Sequence, residues 1–199
     1  MSETIAKQKA ELRQRMRGEL KRLSPAVRLA GSGQVCSRLQ AQPIWREARS
    51  VLLFAPLPDE VDVAPLFKLA LVAGKKLALP RFEHRGQSYV ASRVVNPTED
   101  LRPGRFGISE PAETCAGVPL NELDFLVVPG VAFTLDGRRL GRGKAFYDRL
   151  LASARGITCG VAFDEQIVDA IPTEPHDIRL DLILTPSLWH RTGWRAVWK

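Results

Sequence analysis

The stretch LVVPGVAFTLDGRRLGRGKAFYDRLL, Leu126–Leu151, changes its periodicity twice within one short run. Phe125 to Val128 is continuously apolar and reads as a buried strand, ended by Pro129-Gly130. Gly137 to Asp148 is glycine-rich and basic, and an apolar helical pattern over Lys144 to Ala154 follows. A buried strand that feeds a helix through a loop is the repeating unit of an α/β protein.

The flanking sequence repeats that unit. Strands are expected at Ser50–Phe54, Lys76–Pro80, Ser88–Val94, Ile157–Phe163 and Asp181–Leu184, with a last short one over 194–198. Helices are expected at 3–23, where Ile5, Leu12, Met16, Leu20 and Leu23 draw one apolar stripe, and from Pro25 to Gln40 behind a Ser24 cap. Val27, Val35 and Leu39 are the inward candidates of the second helix. A further helix runs from Ala64 to Ala73 and stops at Gly74. Residues 96–120 carry proline and glycine without a period and read as a long loop. The expected fold is a single α/β domain over 1–199, a three-layer αβα arrangement. Its mainly parallel sheet is flanked by helices, with a helical N-terminal extension.

Composition bounds the partners. Of 199 residues, 45% are apolar and 26% charged, the balance of an ordinary globular chain. No apolar run reaches the roughly 18–20 residues of a membrane helix, so no membrane partner is expected. Three scattered cysteines, Cys36, Cys115 and Cys159, form neither a disulfide framework nor a zinc knuckle. The reading is a reduced, cytoplasmic protein. The net charge of +7 suits an anionic partner, and residues 1–28 hold eight Lys/Arg against three Glu. That basic helix has no interleaved aromatic residue on which a base would stack, which tells against nucleic acid.

Within the loop, neither common nucleotide motif fits. A Walker A loop needs glycine where Arg138 stands and Ser or Thr where Ala145 stands. A dinucleotide fingerprint needs a third glycine where Phe146 stands. The physics of anion binding remains: Gly141 and Gly143 permit close approach, and Arg139, Arg142 and Lys144 offer charge-assisted bonds. Asp148, one turn beyond Lys144, suits Mg²⁺ shared with phosphates. On spacing alone, a solvent-exposed basic turn is the competing description.

The whole tract resembles the signature of the 5-formyltetrahydrofolate cyclo-ligase family, in which Pro-Gly-x-x-Phe precedes Arg-Leu-Gly-x-Gly-x-Gly-Tyr-Tyr-Asp. KAELR at 9–13, PLPDEVDV at 56–63, GKKLALPR at 74–81, FGISEP at 106–111 and HDIRLDLILT at 176–185 extend the likeness in order along the chain. The resemblance implies an α/β sheet flanked by helices and an enzyme that uses ATP and Mg²⁺. Its reaction converts 5-formyltetrahydrofolate to 5,10-methenyltetrahydrofolate, ADP and phosphate. Phosphorylation of the formyl oxygen turns a poor leaving group into a good one, and the neighbouring N10 amine closes the ring. No protein nucleophile is needed, so catalysis rests on positioning and charge stabilisation.

Carried over position by position, the resemblance implies an ATP site of Lys9, Arg13 and the tract Arg139, Leu140, Gly141, Arg142, Gly143, Lys144, Ala145, Phe146 and Tyr147. Arg142 and Lys144 are the candidates for charge stabilisation in catalysis. It implies a folate site of Leu57, Glu60 and Asp62, bordered by Arg142 to Phe146, and Mg²⁺ near Asp148 and Asp181. A polyglutamylated folate tail is compatible with the basic surplus. From the residues alone, Glu60 and Asp62 read as caps for the helix that starts near Val63, the stronger reading for Asp62, while Asp181 reads as a solvated strand end and Lys9 and Arg13 as a solvated face.

Three positions depart from the family pattern: Ala145 for the third glycine, Phe146 for the first tyrosine, and Thr134 for an aspartate. A positive φ at Ala145 would cost about 1–2 kcal/mol, whereas a negative one would favour the helix start. Two alternatives stand beside the cyclo-ligase. Because the departures cluster near the pocket, one is a relative with the same ATP site and another substrate; the other is a non-catalytic relative that binds RNA through the basic N-terminal helix.

Overall fold

The computed structural model describes residues 2–104 and 107–195. Ser2–Arg22 forms α1, Pro25–Gln40 α2 and Pro43–Glu47 α3. Ser24 caps α2 by accepting the Val27 amide, with Pro25 in the first turn. The strands β1 (Ser50–Leu52), β2 (Lys76–Glu83) and β3 (Ser88–Val94) follow, with α4 (Pro65–Val72) between β1 and β2. Gly74 ends that segment at φ +72°.

The expected loop over 96–120 contains structure of its own. An Asn96-capped turn, α5 (Pro97–Asp100), leads to the small hairpin of β4 (Leu101–Pro103) and β5 (Ser109–Pro111). These pieces are too short to show a period in sequence. Beyond them lie β6 (Phe125–Val128), the β7–β8 hairpin (Ala132–Phe133 and Arg139–Leu140), α6 (Phe146–Leu151), β9 (Ile157–Val161), β10 (Leu182–Leu184) and β11 (Trp189–Arg191). The last strand is therefore upstream of the expected position, and residues 196–198 of that expectation lie outside the described residues.

The main sheet has the order β11-β10-β9-β6-β1-β2-β3. Its five central strands are parallel, and both edge strands are antiparallel. Alternation along each strand sorts the core into two layers. Val51, Leu77, Phe125, Val127 and Leu182 face α2, α3 and α4, while Leu52, Leu126, Val128 and Ile183 face α6 and its neighbours. The α/β fold with a mainly parallel sheet between helices is thus present. Val27 is half exposed rather than inward, unlike Val35 and Leu39.

Helix α1 makes a third layer across the end of the sheet. Leu12 and Met16 pack on Val131, Ala132, Leu140 and Ile171. Lys9 lies on the same face and is 7% exposed. Its Nζ donates to Asp177 at 2.7 Å and to Glu174 at 2.9 Å. Burial opposes the ammonium charge, yet the hydrogen bonds from Asp177 and Glu174 outweigh it and hold the Lys9 pKa above its ordinary value.

Lys9→Met should therefore lower unfolding stability by about 1–2 kcal/mol at neutral pH, because two part-buried carboxylates lose their cation. A group whose pKa is raised by folding stabilises below its unfolded value and loses that effect as pH rises through the folded value. On the alkaline side, denaturant midpoints should show the difference between wild type and variant shrinking above pH 10.5.

Candidate active site

The carboxyl ends of β1 and β6 run into Phe54-Ala55 and Pro129-Gly130, and these form the floor of a cavity of about 360 Å³. Its size and its place suit a small ligand in a parallel α/β sheet. The β7–β8 hairpin and the glycine loop form one wall, with Arg139, Gly141, Arg142 and Lys144 at the surface of the cavity.

Arg139 is the organiser of this wall. Its side chain is 3% exposed; Nη2 donates to Asp148 Oδ1 at 3.0 Å, and the guanidinium lies 5.6 Å from the Tyr147 ring centroid. Gly141 suits this packing, since a Cβ there would sit 2.8 Å from Arg139 Nη1 and the guanidinium would have to shift. Tyr147 is held protonated, its phenol pKa pushed well above the usual value by burial.

Arg142 points the other way and fastens the loop to the segment after β1. Its Nη2 is 2.6 Å from Asp59 Oδ1, and Nε donates to Glu60 Oε1 at 3.1 Å. Glu60 Oε2 accepts the Leu57 amide at 3.0 Å. Burial pushes the Glu60 pKa up, against the pull of the Leu57 N–H and Arg142. Lys144 is exposed and, among the described residues, has neither a hydrogen bond nor an ion pair. It is the uncommitted cation at the cavity surface.

Arg13 reaches the loop from α1: its Nε donates to the Gly141 carbonyl at 2.8 Å, beside Gly143 at φ +103°. The structure thus gathers Arg13, Leu57, Glu60, Arg139, Gly141, Arg142, Gly143, Lys144, Ala145, Phe146, Tyr147 and Asp148 around one cavity and its rim. Leu140 contributes backbone here, because its side chain is buried against α1.

Three of the expected residues stand apart. Lys9 is committed to Asp177 and Glu174, and His176 beside them shares an acid group that the lysine already neutralises. Asp62 accepts the Ala64 amide at 3.0 Å in the turn before α4 and does not line the cavity. Asp181 lies at the opposite end of the sheet: Oδ2 accepts from the Thr158 amide and hydroxyl, and Oδ1 is 3.5 Å from Arg195. Thr158 is in register with Leu126, three residues before Pro129, or roughly 10 Å along the strand. Asp181 therefore joins β9 to β10, and the geometry does not pair it with Asp148.

Sequence reasoning missed Phe54, Pro80, Tyr89, Ile108 and Ser109 among the lining residues. Phe54 was legible as the end of a parallel strand; Tyr89 is set by its side of β3, which the loose alternation of that strand obscures. Among the described residues, no histidine lines the cavity. Burial pushes the Cys36 thiol up to about 11 and Cys159 higher still, so neither is a ready nucleophile.

The three departures now have physical accounts. Ala145 adopts φ +50° and ψ +24°, so the helix starts at Phe146, two residues after the expected point. The Phe146 ring sits in an aromatic group with Phe82 and Tyr89 and carries Arg149 at 5.2 Å. The Thr134 hydroxyl donates to Asp136 and accepts the Arg138 amide at 3.1 Å, so it serves the β7–β8 turn.

Fold and site together define an α/β protein with an arginine- and lysine-lined cavity at the carboxyl end of a parallel sheet. Residues 5–186 match the model of the 5-formyltetrahydrofolate cyclo-ligase family, and the chain belongs to that family. The 5-formyltetrahydrofolate cyclo-ligase of Escherichia coli K12 is 33% identical over 180 residues, covering 88% of this chain and 97% of the relative. The mouse enzyme of the same name is 29% identical over 192 residues, covering 88% and 90%. Among solved structures, 5,10-methenyltetrahydrofolate synthetase of Aquifex aeolicus superposes with a TM-score of 0.84 at 37% identity, covering 96% of each chain. The Mycoplasma pneumoniae synthetase shares the fold, with a TM-score of 0.71 at 20% identity over 89% of this chain and 98% of that one.

Ala145→Gly should relieve the left-handed strain and raise unfolding stability by about 0.5–1 kcal/mol, read as an upward shift in the denaturant midpoint. Gly141→Ala should do the reverse, because the new methyl crowds Arg139 Nη1, the nitrogen that faces the Pro129 carbonyl, and the buried guanidinium must shift.

Proposed function

We propose that this chain catalyses the ATP-dependent cyclisation of 5-formyltetrahydrofolate to 5,10-methenyltetrahydrofolate, with release of ADP and phosphate. The supporting observation is that the family match spans residues 5–186, while Arg139, Arg142, Lys144 and Asp148 of its glycine loop meet at one cavity. We treat residues 1–199 as one domain. No helix among the described residues is long and apolar enough to cross a membrane. The cytoplasmic reading is supported by three free cysteines.

The donor set fits a triphosphate. Lys144 has no partner among the described residues, and Arg142 and Arg13 flank the same loop. Gly143 at φ +103° keeps the backbone open to close approach. Asp148 fits Mg²⁺ shared with phosphate oxygens: Oδ1 is bound by Arg139, and no protein hydrogen bond to Oδ2 is found among the described residues. Mg²⁺ would supply charge neutralisation of the phosphates. Asp181, at the other end of the sheet, is left out of that assignment.

In this reading the formyl oxygen of the folate attacks the γ-phosphorus and ADP leaves. N10 then attacks the formyl carbon and loses its proton, and the C–O bond breaks to release phosphate. Lys144 and Arg142 stabilise charge on the transferring group. Arg139 holds Asp148 in place, and Phe54, Tyr89 and Phe146 present an apolar wall to the folate ring. Leu57 and Glu60 border the same space. A polyglutamate tail would meet Lys144 and Arg149 at the rim.

Purified protein with Mg-ATP and 5-formyltetrahydrofolate should form methenyltetrahydrofolate, followed by absorbance, with one ADP per turnover. Absence of ATP-dependent product from folded protein refutes the proposal. Lys144→Ala should lower kcat about 10²-fold while leaving the unfolding midpoint unchanged. Asp148→Asn is less clean, since Arg139 would lose its charged partner, so its diagnostic signature is a raised Mg²⁺ requirement.

A further inference from the structure

Opposite the glycine loop, the cavity is lined by Leu57 and Glu60, the two ends of one tight turn. The turn is closed on itself: the Glu60 amide donates to the Leu57 carbonyl at 2.9 Å, and Glu60 Oε2 accepts the Leu57 amide at 3.0 Å. These bonds set its shape, not its place. No strand pairing holds it, because β1 ends at Leu52.

Its place is set from α2. Arg28, Ser32 and Cys36 recur every fourth residue and so share one helix face. Ser32 Oγ accepts the Asp62 amide at 2.9 Å, and Cys36 Sγ donates to the Asp62 carbonyl at 3.4 Å. Arg28 reaches the turn itself. Its Nη1 donates to the Pro58 carbonyl at 2.9 Å, and Nη2 to the Leu20 carbonyl at 2.6 Å. Leu20 lies in the last turn of α1, where helix carbonyls lack amide partners. One guanidinium thus ties the turn to the end of α1. On its other side the turn holds Arg142 through Asp59 and Glu60, and Arg13 of α1 meets the same loop at the Gly141 carbonyl. The contacts close a ring around the cavity, and Arg28 is its member farthest from the phosphate-binding set.

We infer that Arg28 is a positioning residue for the substrate: by tying Pro58 to the end of α1, it fixes the turn that presents Leu57 and Glu60 to the cavity. The inference rests on the cyclo-ligase reading for the identity of the ligand, a folate bordered by those two residues. Arg28 does not line the cavity and acts through the turn.

Arg38 supplies a matched control, since it stands on the same helix and its Nη2 donates to the Pro186 carbonyl at 3.0 Å, away from the cavity. The test compares Arg28→Met, Arg28→Lys and Arg38→Met in the full chain. Steady-state kinetics would be paired with calorimetric titration of 5-formyltetrahydrofolate without ATP. Arg28→Met should raise both KM and Kd for the folate about 3–10-fold, with kcat within about twofold of wild type. Arg28→Lys, whose ammonium lacks the planar fork that spans both carbonyls, should fall between. Arg38→Met should leave folate affinity at the wild-type value. In the ligand-free protein, amide exchange read by NMR should be about 3–10-fold faster at Leu57 and Glu60 in Arg28→Met and unchanged there in Arg38→Met. Unchanged folate affinity in Arg28→Met overturns the inference, as does an equal loss in Arg38→Met or wild-type exchange at Leu57 and Glu60. A wild type that binds the folate without cyclising it refutes the proposed reaction alone, and the titration still decides Arg28. A wild type that does neither overturns both.

Discussion

The buried pair of Arg139 and Asp148 is the constraint around which the site is arranged. A guanidinium that is 3% exposed must be neutralised, and Asp148 at 3.0 Å does this from the first turn of α6. The Tyr147 ring covers its face, and Gly141 is small because the guanidinium occupies the space a side chain would need. The loop between β8 and α6 is therefore shaped by an arginine beneath it. With Arg142 fastened to Asp59 and Glu60, that foundation leaves Lys144 as the cation turned to other work. A loop built from glycines alone would be mobile; the arginine makes this one a fixed rim.

Helix α1 depends on the same arrangement. Its apolar stripe packs on the β7–β8 hairpin, and its two inward cations take opposite roles. Lys9 fastens the helix to Glu174 and Asp177, whereas Arg13 touches the glycine loop itself. Part of the basic surplus of the N-terminus is thus spent on an internal pair. A helix that looks like an appendage in sequence is one wall of the site.

Strands and helices with long apolar runs were legible because burial on both sides of a parallel sheet leaves an unbroken signal. β6 and β3 match their expected bounds, and α2 begins where Ser24 and Pro25 say it should. What escaped was set by tertiary contact. The β7–β8 and β4–β5 hairpins are two or three residues per strand, and β11 is an edge defined by its partner. In the site, glycine spacing and charge pointed to the loop, but nothing local tells whether a carboxylate lies above or below a sheet. Asp148 and Asp181 look equivalent in sequence and lie at opposite ends of the strands. Lys9 carried one usable signal: with Ile5, Leu12, Met16 and Leu20 it continues a single helical face, so its burial was written in the stripe it interrupts.

The left-handed Ala145 shows how far a family pattern constrains its members. A glycine at that position would reach φ +50° without a steric penalty, and the chain here holds the same geometry with alanine. The turn is thus imposed from outside, by Arg139 and Arg142 anchoring the loop on one side and by α6 packing Leu150 and Leu151 into the core on the other. Had the residue alone chosen its conformation, alanine would have extended the helix through Lys144 and carried its ammonium away from the cavity. The strain at one residue keeps the uncommitted cation at the site, and it explains why a substitution that opposes its own backbone leaves the arrangement of the loop intact.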